Sequence, residues 1–175
     1  MSEPSEPGSR RLVVMRHAKA EPGGETDALR ELAQRGWNDA LDAGRWLAGS
    51  GLAPDAALVS SAARARSTWL AVAEGGSFDV EATYSDGLYT AGPESALDLV
   101  RETPDDAEAL VVVGHNPTMA YLAQLLDDGS GDDAAGREMA TGFPTGALAV
   151  FAVPGPWAGL DLASARLVSF HVGRA

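Results

Sequence analysis

Three short segments of this chain carry arginine and histidine directly behind apolar runs. Met15-Arg16-His17-Ala18 follows the run Arg11–Met15. Ser60-Ser61-Ala62-Ala63-Arg64 closes the run Ala57–Ser60. Gly114-His115-Asn116-Pro117 follows Leu110-Val-Val-Val113. Each run is short and apolar, two of them rich in valine, as buried strands are. Three strands would then deliver Arg, His, Arg and His to one edge of a sheet. The chain has three histidines, and two of them hold equivalent places behind strands. Such a set suits phosphoryl transfer. Arginine forks match phosphate oxygens in bidentate geometry and stay charged. A neutral imidazole, with an ordinary pKa of about 6.5, is a competent nucleophile near neutrality. A second, protonated imidazole donates to charge developing on the equatorial oxygens. Helix N-termini behind the strands add backbone donors.

Each residue also has a plainer reading. Arg16 and His17 would cap the sheet and bond backbone carbonyls; Arg64 would be a surface ion pair; His115 would be a hydrogen-bonded core histidine. Their joint placement favours a site. Zinc on His17 and His115 is disfavoured, because the neighbouring arginines repel a dication. The chain also has no His-x-x-x-His or cysteine spacing. No glycine loop of the Walker type is present. His171, close to the C-terminus, reads as structural or exposed.

Strands alternating with helices must position this set. Beyond the three strands above, helices are expected over Leu32–Ala48, Ala62–Ala73, Glu94–Glu102 and from Pro117 to about Leu126. Trp37, Ala40, Leu41, Gly44, Leu47 and Ala48 share one face of the first. Ser50-Gly51 and Gly75-Gly76 read as the ends of the first two helices. Ala20–Arg30, rich in Gly, Pro and charge, reads as a loop. Asp127–Gly136, acidic and glycine-rich, reads as a mobile loop. Val80–Tyr84 is a further strand, and Gly146–Val153 with Ala165–Val172 form a final antiparallel pair. The fold class is α/β: a three-layer sandwich with a mostly parallel central sheet and helices on both faces. Ligands of such sheets sit outside the carboxyl ends of the strands, where the four residues fall.

The chain has 175 residues and a formal net charge of −12, with 45 % hydrophobic and 22 % charged residues. That fits one domain over residues 11–175, preceded by a disordered tail over residues 1–10. So acidic a surface disfavours nucleic acid and anionic lipid as partners. No apolar run approaches the ~20 residues of a membrane span, and the polar N-terminus lacks a signal-peptide core. The absence of cysteine excludes disulfides and thiolate sites and fits a cytoplasmic location. Against the acidic body, Arg16, Lys19, Arg30, Arg64 and Arg66 would form one cationic spot. Trp37, Trp46, Trp69 and Trp157 read as core residues.

The segment Leu12-Val-Val-Met-Arg-His-Ala18 resembles the Arg-His motif of the histidine phosphatase superfamily, the phosphoglycerate-mutase-like fold. The pattern Asp27-x-x-Arg30-x-Leu32-x-x-x-Gly36 resembles the short SixA-type phosphohistidine phosphatases. So do Leu58-Val-Ser-Ser61-x-x-Arg64-Ala65-x-x-Thr68, Val112-Val-Gly-His115-Asn-Pro117 and Thr145-Gly-Ala-Leu-Ala149. The resemblance spans about Arg11 to Val172. It implies His17 as the nucleophile that is transiently phosphorylated. It implies Arg16 and Arg64 as the phosphoryl clamp, His115 as the second pocket histidine and Arg30 as a loop arginine reaching the substrate phosphate. Two in-line displacements would follow, without metal or organic cofactor. Phosphate or sulfate would be able to occupy the pocket.

Three residues depart from the superfamily pattern: Ala18 stands where glycine is common, and Ser61 and Glu31 stand where proline is usual. They shape backbone. The general acid is less clear. Larger relatives place a carboxylate after the third strand, where this chain offers Asp86 and Glu94. The plainer reading, a solvated loop acid and a helix-start acid, is favoured for both. An alkoxide leaving group needs a proton donor, whereas the imidazole of phosphohistidine leaves neutral if protonated beforehand. No long insertion between Arg64 and Leu110 would serve as a lid, so the pocket should be open, as suits a phosphorylated side chain of a protein. The expected activity is hydrolysis of phosphohistidine on a protein. The alternatives are hydrolysis of a small phosphoester at the same site, a weakly catalytic domain that binds phosphate or phosphohistidine, and an acidic interaction module.

Overall fold

The structure is a computed structural model that describes residues 9–175; the expected disordered tail lies outside the described residues except for Ser9 and Arg10. Arg10 is not tail: it opens the first strand and its guanidinium donates to the carbonyls of Gly155 and Asp105.

Six strands form one sheet in the order β3-β2-β4-β1-β5-β6. They are β1 (Arg10–Arg16), β2 (Ala56–Ser60), β3 (Ala82–Ser85), β4 (Ala109–Gly114), β5 (Ala147–Val153) and β6 (Arg166–Val172). β3, β2, β4 and β1 are parallel, and β5 runs antiparallel to both β1 and β6. The mostly parallel sheet and the final antiparallel pair are as expected. β1 and β4 are the central strands, and their valines are covered on both faces. On one side Val13, Met15, Val111 and Val113 pack against helices α1 (Gln34–Gly49) and α2 (Ala63–Gly76). On the other, Leu12, Val14, Leu110 and Val112 pack against α4 (Pro93–Arg101), α5 (Thr118–Leu126) and α6 (Asp133–Thr141). Period-two alternation therefore feeds two cores from the same strands. No helix of the described residues is long and apolar enough to cross a membrane.

Two expectations about glycine are corrected. Gly75-Gly76 lie inside α2, which ends at Ser77 in the left-handed conformation (φ 57°). A Cβ on Gly75 would stand 2.1 Å from the Leu41 carbonyl oxygen, and one on Gly44 2.1 Å from that of Val72. These glycines let α1 and α2 touch backbone to backbone. Nor is Asp127–Gly136 a free loop. The amide of Asp128 bonds to Ala165 O and that of Asp132 to Leu167 O, which pins the segment along β6. The Asp132 carboxylate then accepts from Ala135 N and caps α6, which starts at Asp133.

A short helix α3 (Asp86–Thr90), unforeseen in the sequence, follows β3, capped by the Ser85 hydroxyl. Trp69 and Trp157 are core residues. Trp37 and Trp46 are half-buried, and the Trp46 ring stacks on His171, whose Nε2 lies 3.1 Å from an Asp42 oxygen.

Candidate functional site

The register of β1 against β4 pairs Arg16 with Gly114, so the next residues of both strands, His17 and His115, emerge side by side. Their ring centroids are 5.2 Å apart. The amide of His17 bonds to Gly114 O, and Gly146, ahead of β5, donates its amide to His17 O. The sheet edge thus grips the histidine backbone from both neighbouring strands.

The His17 side chain is 8 % exposed. Its Nδ1 lies 2.7 Å from the Ala18 carbonyl, an acceptor only, so Nδ1 carries the proton and the Nε2 lone pair is free. Burial and the cationic neighbours pull its pKa down to about 3. The Ala18 amide in turn donates to Thr68 Oγ1 (3.0 Å), which donates to Arg64 O (2.7 Å). One hydroxyl therefore ties the turn behind β1 to the first turns of α2.

Arg64 sits in that first turn, its side chain 7 % exposed. Nη1 donates to Asp27 O (2.7 Å). Nη2 donates to Asp27 Oδ2 (3.0 Å) and to Nδ1 of His115 (3.3 Å). A guanidinium only donates, so Nδ1 of His115 is the acceptor and its Nε2–H donates to Ser60 Oγ at 2.7 Å. His115 is therefore neutral here. Burial and Arg64 bring its pKa down to about 4. The protonated second imidazole expected from the sequence is absent from this arrangement. The reason is that His115 faces a cation before any anion is bound.

Arg16 donates Nη1 to the carbonyl of Phe143, which also receives Asn116 Nδ2. That carbonyl is delivered by the turn behind α6. The Nε atoms of Arg16 and Arg64 are buried without a hydrogen-bond partner. Arg16, His17, Lys19, Ala20, Arg30, Arg64, His115, Asn116 and Thr145 line one cavity of about 300 Å³. Four cationic side chains and two imidazoles face it, with no carboxylate in the lining. This is a donor set for an oxyanion. Among the described residues no group of three or more His, Asp or Glu stands together to hold a metal ion.

Five expected residues, Arg16, His17, Arg30, Arg64 and His115, are brought together. Asp86 and Glu94 are exposed at the starts of α3 and α4 and do not line the cavity. Arg66 is also elsewhere: it bonds Ser61 O and stacks over the Tyr84 ring.

The sequence reading missed two residues. Asp27, half exposed, sits in a single 3-10 turn (Asp27–Leu29) and bonds Arg30 Nη1 (3.2 Å) as well as Arg64. Tyr89 of α3 donates its hydroxyl to Asp27 Oδ2 (2.5 Å), and its ring meets His115 edge-on at 5.4 Å. These bonds hold the Asp27 carboxyl far below the usual carboxylate range. The Asp27-x-x-Arg30 spacing was a usable signal for the first. Tyr89 lay in a segment read only for its acids. The loop is closed at its base, where Glu21 N bonds Glu31 O and Ala33 N bonds Lys19 O.

No family model matches the chain. A protein of Mycobacterium tuberculosis that is itself uncharacterised is 44 % identical over 162 residues, covering 91 % of this chain and all of its own. Among solved structures, one from Nakamurella multipartitia, assigned as the phosphohistidine phosphatase SixA, is 35 % identical. It superposes with a TM-score of 0.84 over 96 % of this chain and 98 % of its own. A SixA assignment from Agrobacterium tumefaciens is 30 % identical, with a TM-score of 0.76 over 93 % of this chain and 97 % of its own.

Proposed function

The chain belongs to the SixA-type phosphohistidine phosphatases of the histidine phosphatase superfamily, and from that premise we propose that it hydrolyses phosphohistidine on a protein through a phosphorylated His17. One observation carries the assignment of roles. His17 has its Nδ1 proton pinned to Ala18 O, which leaves Nε2 as a neutral nucleophile in a cavity of guanidinium groups. Nε2 attacks phosphorus in line. Arg16 and Arg64 hold the equatorial oxygens, and Arg30 lines the same cavity. Once the phosphoryl charge offsets that of Arg64, His115 takes up a proton from solvent at Nδ1 and donates it in a hydrogen bond to the anion, while Nε2–H stays on Ser60. Water then attacks phospho-His17 from the side vacated by the leaving group, releasing phosphate. In this second step the Nδ1 proton on Ala18 O keeps His17 a neutral leaving group.

The cavity volume, about 300 Å³, is at the low end for sites that enclose a small ligand. An exposed phosphohistidine side chain needs only its phosphoryl group enclosed. The test compares phosphate release from a histidine-phosphorylated protein and from an aryl phosphate, with His17→Ala as control. Preference for the phosphohistidine protein, lost in the variant, is expected. Preference for the ester would assign a small-molecule phosphatase instead, and release from neither would leave a binding domain.

A further inference from the structure

In-line transfer between two histidines places one phosphoryl group between two imidazoles. Each ring must keep a proton on its far nitrogen if it is to leave as neutral imidazole. For His17 the acceptor that holds this proton is visible: Ala18 O, 2.7 Å from Nδ1. The substrate ring needs an equivalent. His17 lines the cavity and is 8 % exposed. In-line attack by so buried a ring sends the leaving group away from it, toward solvent.

Beside the cavity stands Asp27, its side chain 54 % exposed and paired to two of the lining residues, Arg30 and Arg64. Its oxygens accept from Arg30 Nη1, Arg64 Nη2 and Tyr89 Oη. A carboxylate offers about four acceptor positions, so one remains. Arg64 and Tyr89 fix its orientation and keep it ionised. Asp27, like Asp86 and Glu94, is not in the cavity lining, but it is bonded directly to two residues that are, Arg30 and Arg64.

We propose that Asp27 is the substrate-recognising carboxylate of the site, accepting a hydrogen bond from the protonated far nitrogen of the substrate phosphohistidine ring. This rests on the phosphohistidine reading and adds the residue that selects that substrate class. The substrate ring arrives as the N-phosphorylated imidazolium. Its N–P bond breaks, the electron pair returns to the substrate nitrogen, and a new N–P bond forms to His17 Nε2. The ring departs as neutral imidazole and keeps the proton facing Asp27. The carboxylate gains and loses no proton. It stabilises the cation that can leave, a role that a phosphate ester, having no such N–H, cannot use.

The test measures kcat/KM of the full chain and of Asp27→Asn. The substrates are a small protein phosphorylated on histidine with phosphoramidate, and p-nitrophenyl phosphate. Near-UV circular dichroism checks that the variant is folded. The ratio of phosphohistidine to ester kcat/KM is expected to fall about tenfold or more in the variant, the loss of one charge-assisted hydrogen bond. In the wild type, kcat on phosphohistidine falls as pH rises through the pKa of the bound ring. In Asp27→Asn this limb moves to lower pH, by about one unit. A proportional fall on both substrates with an unmoved limb would overturn the proposal and reduce Asp27 to a support for Arg64. A wild type that turns over the ester but not phosphohistidine would overturn the functional reading, and this inference with it.

Discussion

The hydroxyl of Thr68 joins the two halves of the site: it receives the Ala18 amide at 3.0 Å and donates to the Arg64 carbonyl at 2.7 Å. Thr68 is fully buried. Thr68→Val keeps the shape but strands the Ala18 N–H, and a buried unpaired donor costs ~1–3 kcal/mol. Chemical denaturation should show a loss in that range. Because the same turn presents Ala18 O to His17, kcat should fall more than KM rises. A variant with unchanged stability and kcat would mean that the hydroxyl does not hold the turn.

Asp86 and Glu94 stand in solvent at helix starts, outside the cavity. Asp86→Asn and Glu94→Gln should each cost less than about threefold in kcat on phosphohistidine. His17→Ala should cost ~10³-fold or more, as removal of a nucleophile does. Steady-state assays of the three variants side by side check this. A loss in either acid variant comparable to that of His17→Ala would restore it as the proton donor.

Arg64 uses both terminal nitrogens at once, on Asp27 and on His115. A lysine keeps the charge but cannot reproduce the fork. Arg64→Lys should raise the Kd for inorganic phosphate about tenfold or more, read by calorimetry. Binding as tight as that of the wild type would leave point charge alone as the basis of recognition.

His17 and His115 have folded pKa values pulled down to about 3 and about 4 by burial and cationic neighbours. As pH falls below the ordinary value of about 6.5, the unfolded chain takes up protons that the folded site refuses. Stability is therefore fullest above pH 6.5 and declines toward pH 4, by up to ~1.4 kcal/mol per pH unit for each histidine. Imidazole NMR signals of both residues should stay flat from pH 8 to 5. Added phosphate should raise the midpoint of His115. A midpoint near 6.5 in the free protein would contradict the arrangement described.

Much of this was legible in the sequence because strand ends are. The valine runs of β1 and β4 locate their carboxyl ends to within a residue, and Arg16, His17 and His115 follow directly. Residues that reach the site from irregular backbone were harder to read. Asp27 depends on a loop folded back by backbone bonds between Lys19 and Ala33 and between Glu21 and Glu31. Tyr89 depends on a five-residue helix that its Ser85 cap and its packing create. Neither has a periodic pattern. The glycines of α2 misled for a related reason: composition marks them as breakers, while their purpose is close approach to α1, which only the packed pair reveals.

The central claim is that phosphorus passes through His17. Rapid mixing with a ³²P-phosphohistidine protein, quenched in alkali and followed by peptide mapping, tests it directly. The account predicts a transient label, stable to base and labile to acid, on the peptide that contains His17, and none in His17→Ala. Turnover without such a label, or a label on His115, would contradict it.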